Sequence, residues 1–156
     1  MPRALELGMK APDFRLPRDD GGTAALSDFA GRKLVLYFYP KADTPGCTKE
    51  AIEFSRLKGA FGKADVDILG VSADPVPAQD KFKAKHGLSI ALASDESHRT
   101  LKAYGVWREK SMYGRKFLGI VRTTVLIGRD QRIARVWPKV SVPGHAAEVL
   151  AAAESL

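Results

Sequence analysis

Cysteine is nearly absent from this sequence: Cys47 is the only one in 156 residues. One thiol excludes an intrachain disulfide and a structural zinc site built from cysteines. It fits a reducing, cytoplasmic setting. Long apolar runs are missing too. The longest, such as residues 34–39, fall far short of the ~18 a membrane span needs. The first residues, MPRALELGMK, lack the apolar core and small-residue cleavage site of a secretory signal. There is no block of five like charges, no internal repeat, and no G-x-G-x-x-G or P-loop, so neither a nucleotide cofactor nor a membrane partner is indicated. His86, His98 and His145 lack metal-pair spacing, and Asp19-Asp20-Gly21-Gly22 reads as a turn, not a calcium loop. No metal is expected.

What is present is an ordinary globular composition. Apolar residues make up 45% and charged residues 28%, with a net charge of +7. The length predicts one domain over residues 1–156, large enough to bury a core without staples. The scattered cations read first as solubility. A nucleic-acid-binding domain would rest on charge alone, and 8% aromatics without a stacking motif speak against it.

Hydrophobic patterning predicts strands at 33–39, 66–72, 90–93, 121–127 and 132–137, the last two joined by a turn at 128–131. Helices are predicted at 44–59, 77–86 (stopped by Gly87), 97–104 (stopped by Gly105) and 143–153 (started by Pro143). Ahead of them, residues 13–17 and 23–26 flank Asp20-Gly21-Gly22 as an added hairpin. The order β-α-β-α-β-α-β-β-α implies an α/β thioredoxin-like fold. It has a mixed central sheet, helices on both faces and an N-terminal hairpin.

The lone thiol sits where the first strand turns into the first long helix. Thr44 is suited to the N-cap and Pro45 to the first helical position, which places Cys47 in the first turn. Glu50 follows in the first two turns, near the positive end of the helix dipole. Its pairing with Glu53 at three-residue spacing reads as a solvated face. A free thiol titrates near pH 8.5, leaving about 3% thiolate at neutrality. Bringing it to about 6 takes roughly 3.4 kcal/mol. A helix N-terminus supplies about 0.3–1, up to about 2 when buried, so a cation is required as well. Arg122 is the candidate, a charge in an otherwise apolar strand, which is costly unless paired; its other reading is an edge-strand solubility charge. Thr44-x-x-Cys47 puts a hydroxyl where a dithiol oxidoreductase of this fold has its first sulfur, so intrachain dithiol exchange is excluded.

The stretch Tyr39-Pro40-Lys41-Ala42-Asp43-Thr44-Pro45-Gly46-Cys47-Thr48-Lys49-Glu50 resembles the P-x-x-x-T-x-x-C signature of peroxiredoxins, more narrowly the bacterioferritin-comigratory-protein (PrxQ) subfamily. Ala11-Pro12-Asp13-Phe14, Gly70-Val71-Ser72, Ser94-Asp95, Tyr104-Gly105-Val106-Trp107 and the strand from Gly119 to Ile127 are similar to further stretches of that family. The resemblance implies a thiol peroxidase acting on hydrogen peroxide and organic hydroperoxides through a sulfenic acid on Cys47, in antioxidant defence. It implies that Thr44 hydrogen-bonds the thiolate and the peroxide. Arg122 would hold both and lower the thiolate pKa, Pro40 would shield the turn, and Glu50 would orient Arg122. Where many members carry a second cysteine five residues on, this chain has Ile52, and helix 77–86 has none. This resembles a one-cysteine member, reduced by an outside thiol (thioredoxin, glutaredoxin or glutathione) or by Cys47 of another subunit, and monomeric or weakly dimeric. The alternative is a non-catalytic redox-sensing or holdase module of the same fold. Tyr104 and Trp107 are candidates for a peroxide pocket, though core packing is the simpler reading for both, as for Trp137. The basic stretch 108–116 reads as a solvated loop, with steering of anionic hydroperoxides as its second reading.

Overall fold

The computed structural model describes residues 5–156. Its elements are β1 (Arg15–Pro17), β2 (Thr23–Ala25), β3 (Lys33–Phe38), α1 (Pro45–Arg56), α2 (Lys58–Lys63), β4 (Val66–Ser72), α3 (Val76–His86), β5 (Ala91–Ser94), α4 (Arg99–Ala103), β6 (Trp107–Met112), β7 (Arg115–Ile120), β8 (Thr123–Ile127), β9 (Ile133–Trp137) and α5 (His145–Glu154). The central sheet runs β5-β4-β3-β8-β9. β3, β4 and β5 are parallel, while β8 is antiparallel to β3 and to β9. This is the expected thioredoxin-like arrangement.

All six residues of β3 are buried, as expected of a strand covered on both faces. Successive side chains alternate. Leu34, Leu36 and Phe38 join a core with β1, α4 and β9. Val35, Tyr37 and Tyr39 face a second core with Cys47, Ala51 and Phe54 of α1, Phe61 of α2, Phe82 of α3 and Val149 of α5. Polar groups fasten the periphery. Asp19 in the N-terminal hairpin is buried, accepting from Lys83 Nζ at 2.6 Å and Leu92 N at 2.9 Å. Lys33 is buried and donates to the Ala153 carbonyl at 2.8 Å, where the C-terminus of α5 favours a cation.

Most expected elements are present within one or two residues of their predicted ends, and four differences stand out. Helix 44–59 is two helices, α1 and α2, broken at Leu57 (φ −94°, ψ 3°). The last helix starts at His145, after Gly144 in the left-handed region (φ 76°), so Pro143 lies outside it. The strand predicted at 121–127 begins at Thr123, leaving Arg122 just before it. The stretch expected as a loop, 108–116, forms the hairpin β6–β7, turned at Tyr113 (φ 51°) and Gly114 (φ 77°). Residues 115–118 are all exposed, so burial imposed no period-two pattern there.

Tyr37 lies across Gly70 of β4, where an added Cβ would sit 2.7 Å from the ring, and stacks on Phe54 at 4.7 Å. Gly70→Ala should therefore destabilise the protein by about 1–3 kcal/mol, read as a lowered Tm. An unchanged Tm would mean that this packing yields freely.

Candidate active site

The register of the central sheet builds the site. Phe38 at the end of β3 pairs with Thr123 at the start of antiparallel β8. One step further along the same register sets Arg122 opposite Tyr39, where the chain leaves the sheet toward α1. Arg122 is held by its backbone, its carbonyl accepting from Val140 N at 3.0 Å.

The turn between β3 and α1 is held at several points. Ala42 N donates to Asp74 Oδ2 at 2.7 Å, and Ser72 Oγ donates to the same oxygen at 2.8 Å. Asp43 adopts φ 63°, and its carboxylate meets His86 Nε2 at 2.8 Å and Lys85 Nζ at 2.9 Å on α3. Hydrogen bonds from His86 and Lys85 hold the Asp43 carboxyl below its ordinary range. Pro40 is half-buried at the start of the turn. Pro45 opens α1 as expected, and Thr48 N donates to the Thr44 carbonyl at 2.9 Å. The side-chain cap expected of Thr44 is not made: its hydroxyl donates to the Lys41 carbonyl at 2.8 Å instead.

Cys47 is 1% exposed, on the inner face of the first turn of α1. Arg122 Nη2 donates to its Sγ at 3.3 Å, and Nη1 donates to Glu50 Oε1 at 2.6 Å. The guanidinium passes close over Gly46, where an added Cβ would stand 3.1 Å from Nη2. A side chain there would push the guanidinium aside by a few tenths of an ångström. Glu50 is also 1% exposed. Its burial pushes the carboxyl up to about 7, against the pull of Arg122. Arg122 loses solvation itself, but Glu50 and Cys47 together raise it above its ordinary value. Glu53, three residues on, turns outward to Arg56 at 2.6 Å. The solvated-face reading holds for Glu53 and fails for Glu50.

Cys47, Glu50 and Arg122 thus meet, with Thr44 and Pro40 on the turn beside them. Tyr104 does not belong to this cluster: it lies in the opposite core against Phe38, its hydroxyl donating to the Pro12 carbonyl at 2.7 Å. Trp107 stacks on His98 at 3.9 Å, and Trp137 is packed in the core as expected. His145 is buried against Thr124 Oγ1 at 2.8 Å. Three contributors escaped sequence reasoning. Gly46 and Asp74 have roles that depend on contacts across the chain. Lys110 is the third: its Nζ donates to the Ile120 carbonyl at 2.9 Å, two residues before Arg122. Its position became visible only with the hairpin.

The AhpC/TSA family matches residues 7–136. The chain belongs to the AhpC/TSA family. Peroxiredoxin Bcp of Bacillus subtilis is 44% identical over 94% of this chain and 93% of its own length, and Peroxiredoxin Bcp of Xanthomonas campestris is 45% identical over 95% and 92%. A cysteine-to-serine variant of PrxQ from Xylella fastidiosa superposes with a TM-score of 0.93 at 39% identity, covering 98% of both chains. Bacterioferritin comigratory protein of X. campestris, solved in trapped intermediate and ligand complexes bearing on its alkyl peroxide reduction, gives 0.89 at 43% identity over 97% and 96%. The resemblance read from the cysteine and arginine motifs is borne out: this is a peroxiredoxin of the Bcp/PrxQ kind, a thiol peroxidase. With a single cysteine in the chain, this peroxiredoxin fits the one-cysteine type.

Because Glu50 holds its proton to about pH 7 in the folded state, against 4.5 for an ordinary glutamate, the native protein binds more protons than the unfolded chain between those values. Stability should therefore fall as pH rises from about 4.5 to 7, by at most about 3 kcal/mol from this group. In Glu50→Gln that component of the slope should vanish, measured by denaturant titration across the range. Parallel pH profiles for the two proteins would contradict the assignment.

Proposed function

We propose that Cys47 is the peroxidatic nucleophile and that Arg122, Glu50, Thr44 and Pro40 form its setting. The observation that carries this reading is the Arg122 guanidinium donating at 3.3 Å to the buried sulfur while Glu50 fixes its other nitrogen. The Cys47 thiolate attacks the nearer oxygen of the hydroperoxide in line. The S–O bond forms as the O–O bond breaks. Sulfur loses two electrons, the peroxide gains them, and the departing alkoxide or hydroxide takes a proton to leave as alcohol or water. Cys47 becomes a sulfenic acid. Arg122 supplies positive charge where negative charge passes from sulfur to oxygen, inside a site that excludes water. Glu50 is a positioning residue, acting through Arg122. The Thr44 hydroxyl rotates from the Lys41 carbonyl to the peroxide once substrate is present, as hydroxyl rotors and catalytic hydrogen bonds do. Pro40 covers the turn.

An outside thiol then condenses with the sulfenic acid, releasing water and leaving a mixed disulfide; a second thiol frees Cys47 and departs as part of a disulfide. Ile52, where many relatives have a cysteine, provides no sulfur for an internal route. The reductant is a small thiol or a thioredoxin- or glutaredoxin-type protein. The enzyme works as one domain, monomeric or weakly dimeric, in the cytoplasm, where a lone thiol stays reduced. Organic hydroperoxides join hydrogen peroxide as substrates, on the precedent of alkyl peroxide reduction by the X. campestris relative.

Cys47→Ser should abolish peroxide consumption in the presence of a thiol donor, and one equivalent of peroxide should add one oxygen to the wild-type mass and none to the variant. Turnover by the variant would end the proposal. Arg122→Ala should retain the fold and lose about 10²–10³-fold in the rate of reaction with peroxide, as expected for removal of a donor aimed at developing charge. Stopped-flow fluorescence measures this, and a loss under three-fold would exclude the role given to Arg122.

A further inference from the structure

The hairpin β6–β7 stands outside the five-stranded sheet and, among the described residues, its strands pair only with each other. A two-stranded ribbon is marginal in water on its own, yet this one displays large apolar side chains. Tyr113 at the turn is 96% exposed and Leu118 63%, with Met112 and Phe117 also exposed. Strand alternation puts Met112 and Phe117 on one face and Leu118 on the other, as the pairs Met112↔Arg115, Lys110↔Phe117 and Glu109↔Leu118 require. Between them stand Arg108, Lys110, Arg115 and Lys116 against a single acid, Glu109. Glu109 faces Lys116 at 3.8 Å, both exposed, and Lys110 is tied to the Ile120 carbonyl.

We propose that this hairpin docks on an anionic lipid surface, with Tyr113 and its apolar neighbours in the interfacial layer and Arg108, Arg115 and Lys116 against the headgroups. A protein partner would cover one face of a ribbon, whereas here apolar groups lie on both faces and on the turn. That pattern suits a medium that surrounds the tip. A second copy would bring the same positive charge to meet itself. Tyrosine, with a wet end and an apolar body, is suited to the interface, and arginine and lysine lay their stems along apolar surface while their heads stay polar. Juxtamembrane cations gain from anionic headgroups. In the sequence, 108–116 is a basic stretch that reads as a loop; pairing of the two strands sets its cations on one ribbon with the apolar groups. β7 spans six residues and leads to Arg122, so at about 3.4 Å per residue the docked enzyme stands roughly 20 Å above the surface. The benefit of that placement, a peroxidase held where lipid hydroperoxides arise, rests on the proposed function. The docking does not, and it is measured without turnover.

Reduced full-length protein is mixed with vesicles of phosphatidylcholine alone or with phosphatidylserine added, and sedimented at low salt. Binding is expected to the mixed vesicles and not to phosphatidylcholine alone. Tyr113→Asp with Leu118→Asp should weaken it about ten-fold or more. Arg115→Gln with Lys116→Gln should weaken it about thirty-fold. Lys58→Gln with Lys63→Gln on α2 should leave it unchanged. Tyr113→Trp, which keeps an aromatic at the turn, should give blue-shifted emission with the anionic vesicles only. Circular dichroism and Tm confirm that each variant is folded. The proposal is overturned by absence of binding to anionic vesicles, by full binding of the aspartate variant, or by equal weakening in the α2 variant. It is also overturned by equal affinity for polyglutamate, which would assign the surface to an acidic protein.

Discussion

Arg122 stands between a carboxylate and a sulfur, and a guanidinium removed from most of its water is tolerated because both accept hydrogen bonds from it. The pair with Glu50 is not primarily a source of stability. Glu50 is pushed up to about 7 by its burial, which shows how costly the buried carboxylate is even beside its partner. What the pair provides is direction: with Nη1 fixed on Glu50, Nη2 has one orientation, toward Sγ. A lysine would present a point charge without that fork.

The rest of the fold holds the two ends of this contact in place. On one side, the β3–β8 register puts Arg122 beside the strand that delivers the turn. On the other, Asp74 ties the turn to the end of β4, and Asp43 ties it to α3. Gly46 leaves room for the guanidinium to close over the helix terminus. The cost is borne in small local strains and buried polar groups: Asp43 in the left-handed region, and Tyr37 Oη and Glu50 Oε2 buried without hydrogen-bond partners among the described residues. Such features cluster where a structure serves chemistry more than packing.

The hairpin stands at the opposite extreme. It is exposed on both sides, yet it leads straight into Arg122 through Ile120 and Val121, whose amide donates to the Val106 carbonyl at 2.8 Å. The buried centre and the exposed ribbon are therefore covalent neighbours. Whatever the ribbon touches, the distance from that surface to the site is set by the length of one strand of the hairpin.

Local sequence determined a good deal. The apolar run of β3, Thr44-Pro45 before a helical periodicity, Gly87 and Gly105 as stops and the turn at 128–131 are rules of short range, and each has its element in place. They put Cys47 in the first turn of a helix, and no contact across the chain is needed for that. The cysteine motif and the arginine strand also carried the family resemblance, so the peroxidase reading was legible before any coordinates. What is decided at long range could not be read this way. The separation of 75 positions from Cys47 to Arg122 is closed only by sheet register, and the spacing of Glu50 and Glu53 read as a solvated face until that register buried Glu50. The hairpin was invisible because burial writes the alternating pattern and the outer part of this ribbon, including 115–118, is exposed. The Thr44 hydroxyl, free to rotate, went to the nearest carbonyl. Backbone propensity chooses the element, but only packing of distant strands decides which side chains share a site and which are left facing water.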